Sequence, residues 1–87
     1  MNAFLSMIFI QNTIAEYEIF QMGNKFKAIL LSSNDSKQLP VQITFWKEGG
    51  RWTTIHSISE HVLYQFGNNI DNHILTSLVD ELKNKAA

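Results

Sequence analysis

The chain has 87 residues, enough for a single domain spanning residues 1–87, and its formal net charge is −1 at pH 7. This charge gives no overall attraction to nucleic acid or to an anionic membrane, and the lack of cysteine in the sequence excludes disulfides, thiolate catalysis and zinc ribbons. Only 17% of the residues are charged, against a usual ~25%. A surface of neutral amides and hydroxyls repels its own copies weakly, which favours self-association.

The first segment, from Ala3 to Ile10, is apolar at both sets of alternating positions. It predicts either a strand buried on both faces or a segment that packs on another copy. It does not resemble an export signal, because the first basic residue is Lys25. Its longest unbroken apolar run, from Met7 to Ile10, is far too short for a membrane span. We therefore expect a cytoplasmic protein that does not associate with membranes.

The first hairpin is predicted from Ile14 to Leu31, with its turn at Gly23-Asn24. Closing the chain there pairs Met22 with Lys25 and separates an apolar face from a face that carries the charged side chains. A slip of one residue would mix the two sets, so the pattern favours this register. The predicted apolar face consists of Ala15, Tyr17, Ile19, Phe26, Ala28 and Leu30.

The second hairpin is predicted from Val41 to His56. A type I turn over Glu48-Gly49, followed by Gly50 in the left-handed region, gives a three-residue loop with a bulge. This register pairs Trp46 with Trp52 and sets both indoles on one face. The opposite, apolar face then carries Val41, Ile43, Phe45 and Ile55. A two-residue loop over the two glycines is the alternative, but it segregates apolar from polar side chains less well.

The last third of the chain predicts two helices. Ser57 and Glu60 match a capping box at the start of the first helix, and Gly67 suits its end. A second helix begins near Asp71 and carries one apolar stripe, made of Ile70, Ile74, Leu75, Leu78, Val79 and Leu82. The alternative is a single helix kinked at Gly67, although an interior glycine costs about 1 kcal/mol.

This order of elements predicts an α+β fold. We expect an antiparallel β-meander of four to five strands, followed by two C-terminal helices packed on one face of the sheet.

The residues that could carry chemistry do not form a catalytic or metal-binding pattern. His56, Glu60 and His61 miss the spacing of the zinc-protease helix motifs, and His73 stands apart from them. No serine lies in a G-x-S-x-G motif. We therefore predict no catalytic residues, no metal site and no cofactor, and we expect that the protein is not an enzyme.

The sheet face away from the helices is the predicted functional surface. It collects more apolar side chains than a soluble monomer usually leaves exposed, namely Phe20, Met22, Ile29, Leu31, Trp46 and Trp52. Because tryptophan and methionine are enriched at protein interfaces, the pattern predicts a homodimer or an unidentified protein partner at this face. In the alternative, the segment from Ala3 to Ile10 covers much of it.

A single-stranded nucleic-acid-binding domain is the competing prediction. Residues 25–51 carry a net charge of +3, because five basic side chains outnumber two acidic ones. Trp46 and Trp52 could stack bases beside Lys25, Lys27, Lys37, Lys47 and Arg51. Glu16 and Glu18 lie on the same predicted face and would repel phosphate.

Overall fold

Five strands form one antiparallel sheet, and a single helix follows them. The structure is a computed structural model that describes residues 3–10, 12–34 and 39–86. In chain order the elements are β1 Ala3–Ile10, β2 Thr13–Met22, β3 Lys25–Ser33, β4 Gln42–Glu48, β5 Arg51–Thr54 and α1 Glu60–Ala86. Each strand pairs with the next one along the chain, in the order β1-β2-β3-β4-β5. The predicted α+β fold with an antiparallel meander is confirmed.

The apolar segment at the start of the chain forms an edge strand of this sheet. Ser6 and Ile8 of β1 are buried on the face that packs against the helix, which we call the inner face. Leu5, Met7 and Phe9 alternate with them and are exposed on the opposite, outer face. The segment is therefore buried on one face only.

The first hairpin adopts the predicted register. Met22 pairs with Lys25, and Gly23 supplies the positive φ, 63°, that a two-residue hairpin loop requires. All six side chains predicted for the apolar face are buried or half-buried. Towards the other end of the hairpin the register shifts by one residue at Leu31, a β-bulge that bends the strand locally.

The second hairpin differs from the prediction in its turn. Lys47 pairs with Trp52 across a two-residue loop, Gly49-Gly50, in which both glycines have positive φ, 59° and 81°. This loop belongs to the type whose twist matches that of the flanking strands. The predicted three-residue loop with a bulge is therefore wrong, and Trp52 moves to the inner face.

The changed register also corrects the predicted apolar face of this hairpin. Ile43 and Phe45 are buried as predicted. Ile55 is turned away from the helix and is 81% exposed, because the two-residue loop reverses the facing of the residues after the turn. Val41 precedes β4 and is also exposed.

One continuous helix replaces the two predicted ones. It begins at Glu60, and the Ser59 hydroxyl oxygen accepts a hydrogen bond from the Val62 N–H at 3.2 Å, so Ser59 rather than Ser57 is the N-cap. Gly67 lies inside the helix, and the Trp52 indole occupies the space that a side chain at this position would need. A Cβ at Gly67 would lie 2.6 Å from Cγ and 2.8 Å from Nε1 of that ring.

The helix crosses the inner face of the curled sheet and contacts both edge strands, β1 and β5. Its Phe66 ring packs on Tyr17 and Phe45, with ring centroids 4.8 and 4.7 Å apart. Val62 and Ile70, one turn before and after Phe66, are buried with it. The helix therefore covers the inner face, and the outer face of the sheet is left for other contacts.

Candidate interaction surfaces

The structure places five of the six predicted interface residues on the outer face of the sheet. Phe20, Ile29 and Trp46 are half-buried there, whereas Met22 and Leu31 are exposed. Lys25 lies between Met22 and Trp46 in the cross-strand register, so this end of the face is amphipathic.

Trp52, the sixth predicted interface residue, lies on the inner face instead. Its ring meets the edge of Phe26 with centroids 5.5 Å apart, and its Nε1–H donates to Asp71 Oδ2 at 3.2 Å. The Lys47 ammonium lies 5.4 Å from the ring centroid and 3.1 Å from Asp71 Oδ1. Because this ion pair is about half exposed, its contribution to stability is about 0–1 kcal/mol. The Trp52 side chain therefore connects β5 to the helix.

The two indoles do not form one stacking surface, since Trp46 lies on the outer face and Trp52 on the inner face. Trp46 Nε1–H donates to Glu48 Oε2 at 3.3 Å, and the Lys25 ammonium lies 5.5 Å from the centroid of the same ring. Lys37, one of the basic residues in the nucleic-acid prediction, lies outside the described residues.

Sequence reasoning missed a contiguous group of exposed apolar side chains on the outer face. Leu5, Met7 and Phe9 of β1 are 60%, 41% and 55% exposed, and Ile14 of β2 is 47% exposed. Phe9 and Ile14 are direct cross-strand partners, so the four side chains are contiguous; we call them the outer patch. The signal was present in the alternation of the first segment, but only the pairing of β1 with β2 assigns a face to each residue.

The backbone edge of β1 is occupied by side chains of the helix near the outer patch. Phe9 N–H donates to Gln65 Oε1 at 2.8 Å, and Gln65 Nε2 donates back to the Phe9 carbonyl oxygen at 2.6 Å. Asn69 Nδ2, one turn along the helix, donates to the Met7 carbonyl oxygen at 3.1 Å. Exposed strand edges invite pairing with another chain, and these amides protect this one. The outer patch is therefore available through its face and not through strand addition at Phe9.

The outer face also separates its charges by strand. Glu16 and Glu18 are half-buried on β2 and lie opposite Met7 and Leu5, respectively. Lys25 and Lys27 lie on the next strand, β3. Glu18 pairs with Ile29 and Lys27 pairs with Phe20, so the acidic row on β2 and the basic row on β3 lie diagonally to each other, towards opposite ends of the two strands.

The histidines and the grooves have the geometry of surface features. Within residues 3–10, 12–34 and 39–86, no three His, Cys, Asp or Glu side chains come close enough to hold a metal ion. His73 stacks on Phe4, with ring centroids 3.8 Å apart.

A groove of about 540 Å³ runs between β5 and the helix, where Arg51, Tyr64 and Asp71 line it beside Trp52. In the described part of the chain, no helix is both long and apolar enough to span a membrane.

No known family, characterised protein or solved structure matches this chain.

Proposed function

We propose that this protein is a non-catalytic interaction module that binds a second copy of itself through the outer face of its sheet. The observation that carries the proposal is the outer patch, where Leu5, Met7, Phe9 and Ile14 lie contiguous and exposed. Contiguous exposed apolar surface on a soluble protein marks an interaction site.

A face-to-face pair of sheets fits the charges on this surface. A two-fold axis that runs across the strands, between the level of Glu18 and that of Phe20, lays the two outer faces on each other. Glu16 and Glu18 of one copy then lie level with Lys25 and Lys27 of its partner, respectively, one strand apart, and the reverse holds across the axis. Complementary rows of this kind fix the register of an interface and disfavour other partners.

The same axis brings the outer patch close to apolar side chains of the opposite copy. Leu5 and Met7 of one copy lie level with Phe20 and Met22 of its partner, respectively, one strand apart. Packed sheets lie ~10 Å apart, a separation that these side chains can fill. Methionine and phenylalanine side chains that meet in this way are typical of the buried centre of an interface.

The non-catalytic part of the proposal is supported by the arrangement of polar side chains. Asp71, one of two acidic residues that line the groove between β5 and the helix, is bound to Lys47 and to the Trp52 indole. Both of its carboxylate oxygens serve in holding the hairpin to the helix. A general base, by contrast, must be able to reach the proton of a substrate.

The test is the mass in solution of charge-introducing variants. Met7→Glu and Phe9→Glu place a carboxylate in the outer patch, and both should lower the mass measured by light scattering without unfolding the chain, because both side chains are exposed. Tyr64→Glu is the matched control: Tyr64 is an exposed apolar side chain on the helix, and its replacement should leave the mass unchanged. An unchanged mass for Met7→Glu and Phe9→Glu contradicts the proposal.

Nucleic-acid binding is the outcome that would replace it. A monomer that carries bound single-stranded nucleic acid, with an affinity that falls steeply as salt is raised, would assign Trp46 and the lysines of β3 to base stacking and phosphate contacts.

A further inference from the structure

The C-terminal half of α1 extends beyond the sheet. Ile70 is the last fully buried residue of the helix, and His73, stacked on Phe4, is its last ring contact with the sheet. A helix of 27 residues is about 40 Å long, and the molecule measures 47 Å along its longest axis. The helix after His73 therefore projects as an arm from the folded body.

This arm carries an apolar stripe on one side. Its five members are between 39% and 67% exposed, and they recur at the spacing of a single helical face: Ile74, Leu75, Leu78, Val79 and Leu82. We call them the projecting stripe. The stripe is separate from the outer patch, which lies on the sheet.

We propose that the projecting stripe pairs, antiparallel, with the same stripe of a second copy. The inference rests on the proposed function, because it assumes that the chain binds a second copy of itself. It adds a two-fold contact between helices that is separate from the contact between sheets. In this arrangement Leu75 of one copy lies opposite Leu82 of the other, and Leu78 and Val79 lie at the two-fold axis.

The exposed area of the stripe suits a contact between two copies. At the exposures given above, the five side chains present roughly 500 Å² of apolar surface, within the range of the largest patches on monomeric proteins. Pairing buries that area on each copy, and the flanking polar side chains bring it towards the ~800 Å² per partner of a standard interface. A stripe only two to three turns long leaves few other registers that bury all five side chains.

The shape of the molecule favours the antiparallel direction. Paired helices lie with axes about 8–10 Å apart, whereas the molecule measures 28 by 22 Å across its shorter axes. Two parallel arms would force two such bodies together at the same end. Antiparallel arms place the bodies at opposite ends of the pair.

The charges of the arm favour the same direction. Lys83 and Lys85 lie in the last turn of the helix, and a parallel pair would cluster four ammonium groups. In the antiparallel pair these lysines of one copy lie beside the helical turn of the other copy that begins at Asp71. Antiparallel alignment also sets the negative end of each helix dipole near the positive half of its neighbour.

A groove beside the arm accommodates the end of the partner helix. It has a volume of about 170 Å³ and lies between the arm and the end of the sheet, where Phe4 and Gln21 form one wall. Ile74 and Leu78 form part of the other wall, so the groove is continuous with the projecting stripe. The last turn of the partner's helix enters this groove when the two stripes are centred on each other.

Disulfide trapping tests the pairing and its direction, since the sequence has no cysteine of its own. An equal mixture of Leu75→Cys and Leu82→Cys chains should give the mixed disulfide as the main product of mild oxidation, whereas each variant alone should give little. A parallel pair would reverse this result, because each variant would then form its own disulfide. Thr76→Cys mixed with Leu82→Cys is the matched control: Thr76 is exposed on another side of the arm and should give no disulfide.

The outcomes separate this inference from the proposed function. If Met7→Glu lowers the mass but no mixed disulfide forms, the sheet contact stands and the helix contact is overturned. If the mixed disulfide forms and Met7→Glu leaves the mass unchanged, the helix contact stands alone. Leu78→Glu, at an exposed position, should abolish the mixed disulfide when it is added to both cysteine variants, while the far-UV circular dichroism is retained. Persistence of the disulfide contradicts the inference.

Discussion

Replacing Gly67 by alanine tests the contact that joins the second hairpin to the helix. In most helices this substitution stabilises the folded state by about 1 kcal/mol, because alanine has the higher helix propensity. Here we expect the opposite sign. The new methyl group would overlap the Trp52 indole, whose Cγ and Nε1 lie 2.6 and 2.8 Å from the position of the added Cβ.

The expected loss follows from what the indole must give up. Overpacking of this kind costs about 1–3 kcal/mol. If the ring moves aside, its hydrogen bond to Asp71 is lost as well, at about 1 kcal/mol for an exposed bond. After the gain in helix propensity is subtracted, Gly67→Ala should lower the free energy of unfolding by about 1–3 kcal/mol. The midpoint of thermal unfolding should fall by about 4–8 °C for each of these kcal/mol.

The assay is urea and thermal unfolding, followed by far-UV circular dichroism, in two backgrounds. In a Trp52→Ala chain the clash is gone, so the same Gly67→Ala change should stabilise the fold by about 1 kcal/mol. Asn68→Ala is the matched control: Asn68 is the exposed neighbour of Gly67 in the helix, and its replacement should be neutral or stabilising in both backgrounds. A stabilising Gly67→Ala in the otherwise unchanged chain would refute the packing of Trp52 on the helix.

Three further predictions concern the core and the hairpins. Burial raises the pKa of the Tyr17 hydroxyl from 10.0 to about 12. The neutral hydroxyl therefore contributes stability that is fully present below pH 10 and is lost as the pH rises towards 12. Tyr17→Phe should weaken this loss of stability at alkaline pH in unfolding experiments. The same change removes the hydrogen bond that Tyr17 donates to the Pro40 carbonyl oxygen at 2.8 Å, at a cost of about 1 kcal/mol at neutral pH. Gln65→Ala should destabilise the fold by about 1–2 kcal/mol and speed hydrogen exchange at the Phe9 amide; unchanged exchange there would contradict the protection of the β1 edge. Gly49→Val should lower the free energy of unfolding by about 1–2 kcal/mol, because the φ of Gly49 is positive, whereas Gly49→Asn should be nearly neutral. Equal stabilities of the two variants would indicate the three-residue loop with a bulge instead.

The first hairpin was predictable because its own residues determine it. Charged and apolar side chains segregate in only one register, and Gly23-Asn24 supplies a turn of the required type. Each of these signals lies within the hairpin, so no distant contact is needed to choose between registers. The structure accordingly reproduces the predicted pairing of Met22 with Lys25.

The two errors in the fold share one physical cause. Gly49-Gly50 permits either a two-residue or a three-residue loop, and Gly67 permits either the end of a helix or its continuation. In the structure Trp52 packs directly on Gly67, so the facing of β5 and the continuity of the helix go together. A contact between residues this far apart in the chain leaves no trace in local periodicity.

The candidate interaction surface was only partly predictable for a related reason. The apolar content of β1 was evident from its sequence, but the pairing of Phe9 with Ile14 is needed to know which of its side chains are exposed. The five correctly placed residues of the outer face follow from the first hairpin and from β4. Trp52 was misplaced because its facing depends on the turn before it.

The mass of the unmodified chain in solution, measured by light scattering over a range of concentrations, tests the central claim most directly. We predict a mass of at least twice the 10.0 kDa of one chain, which decreases when Met7→Glu is introduced. A chain that stays monomeric at every concentration would contradict self-association through the outer face.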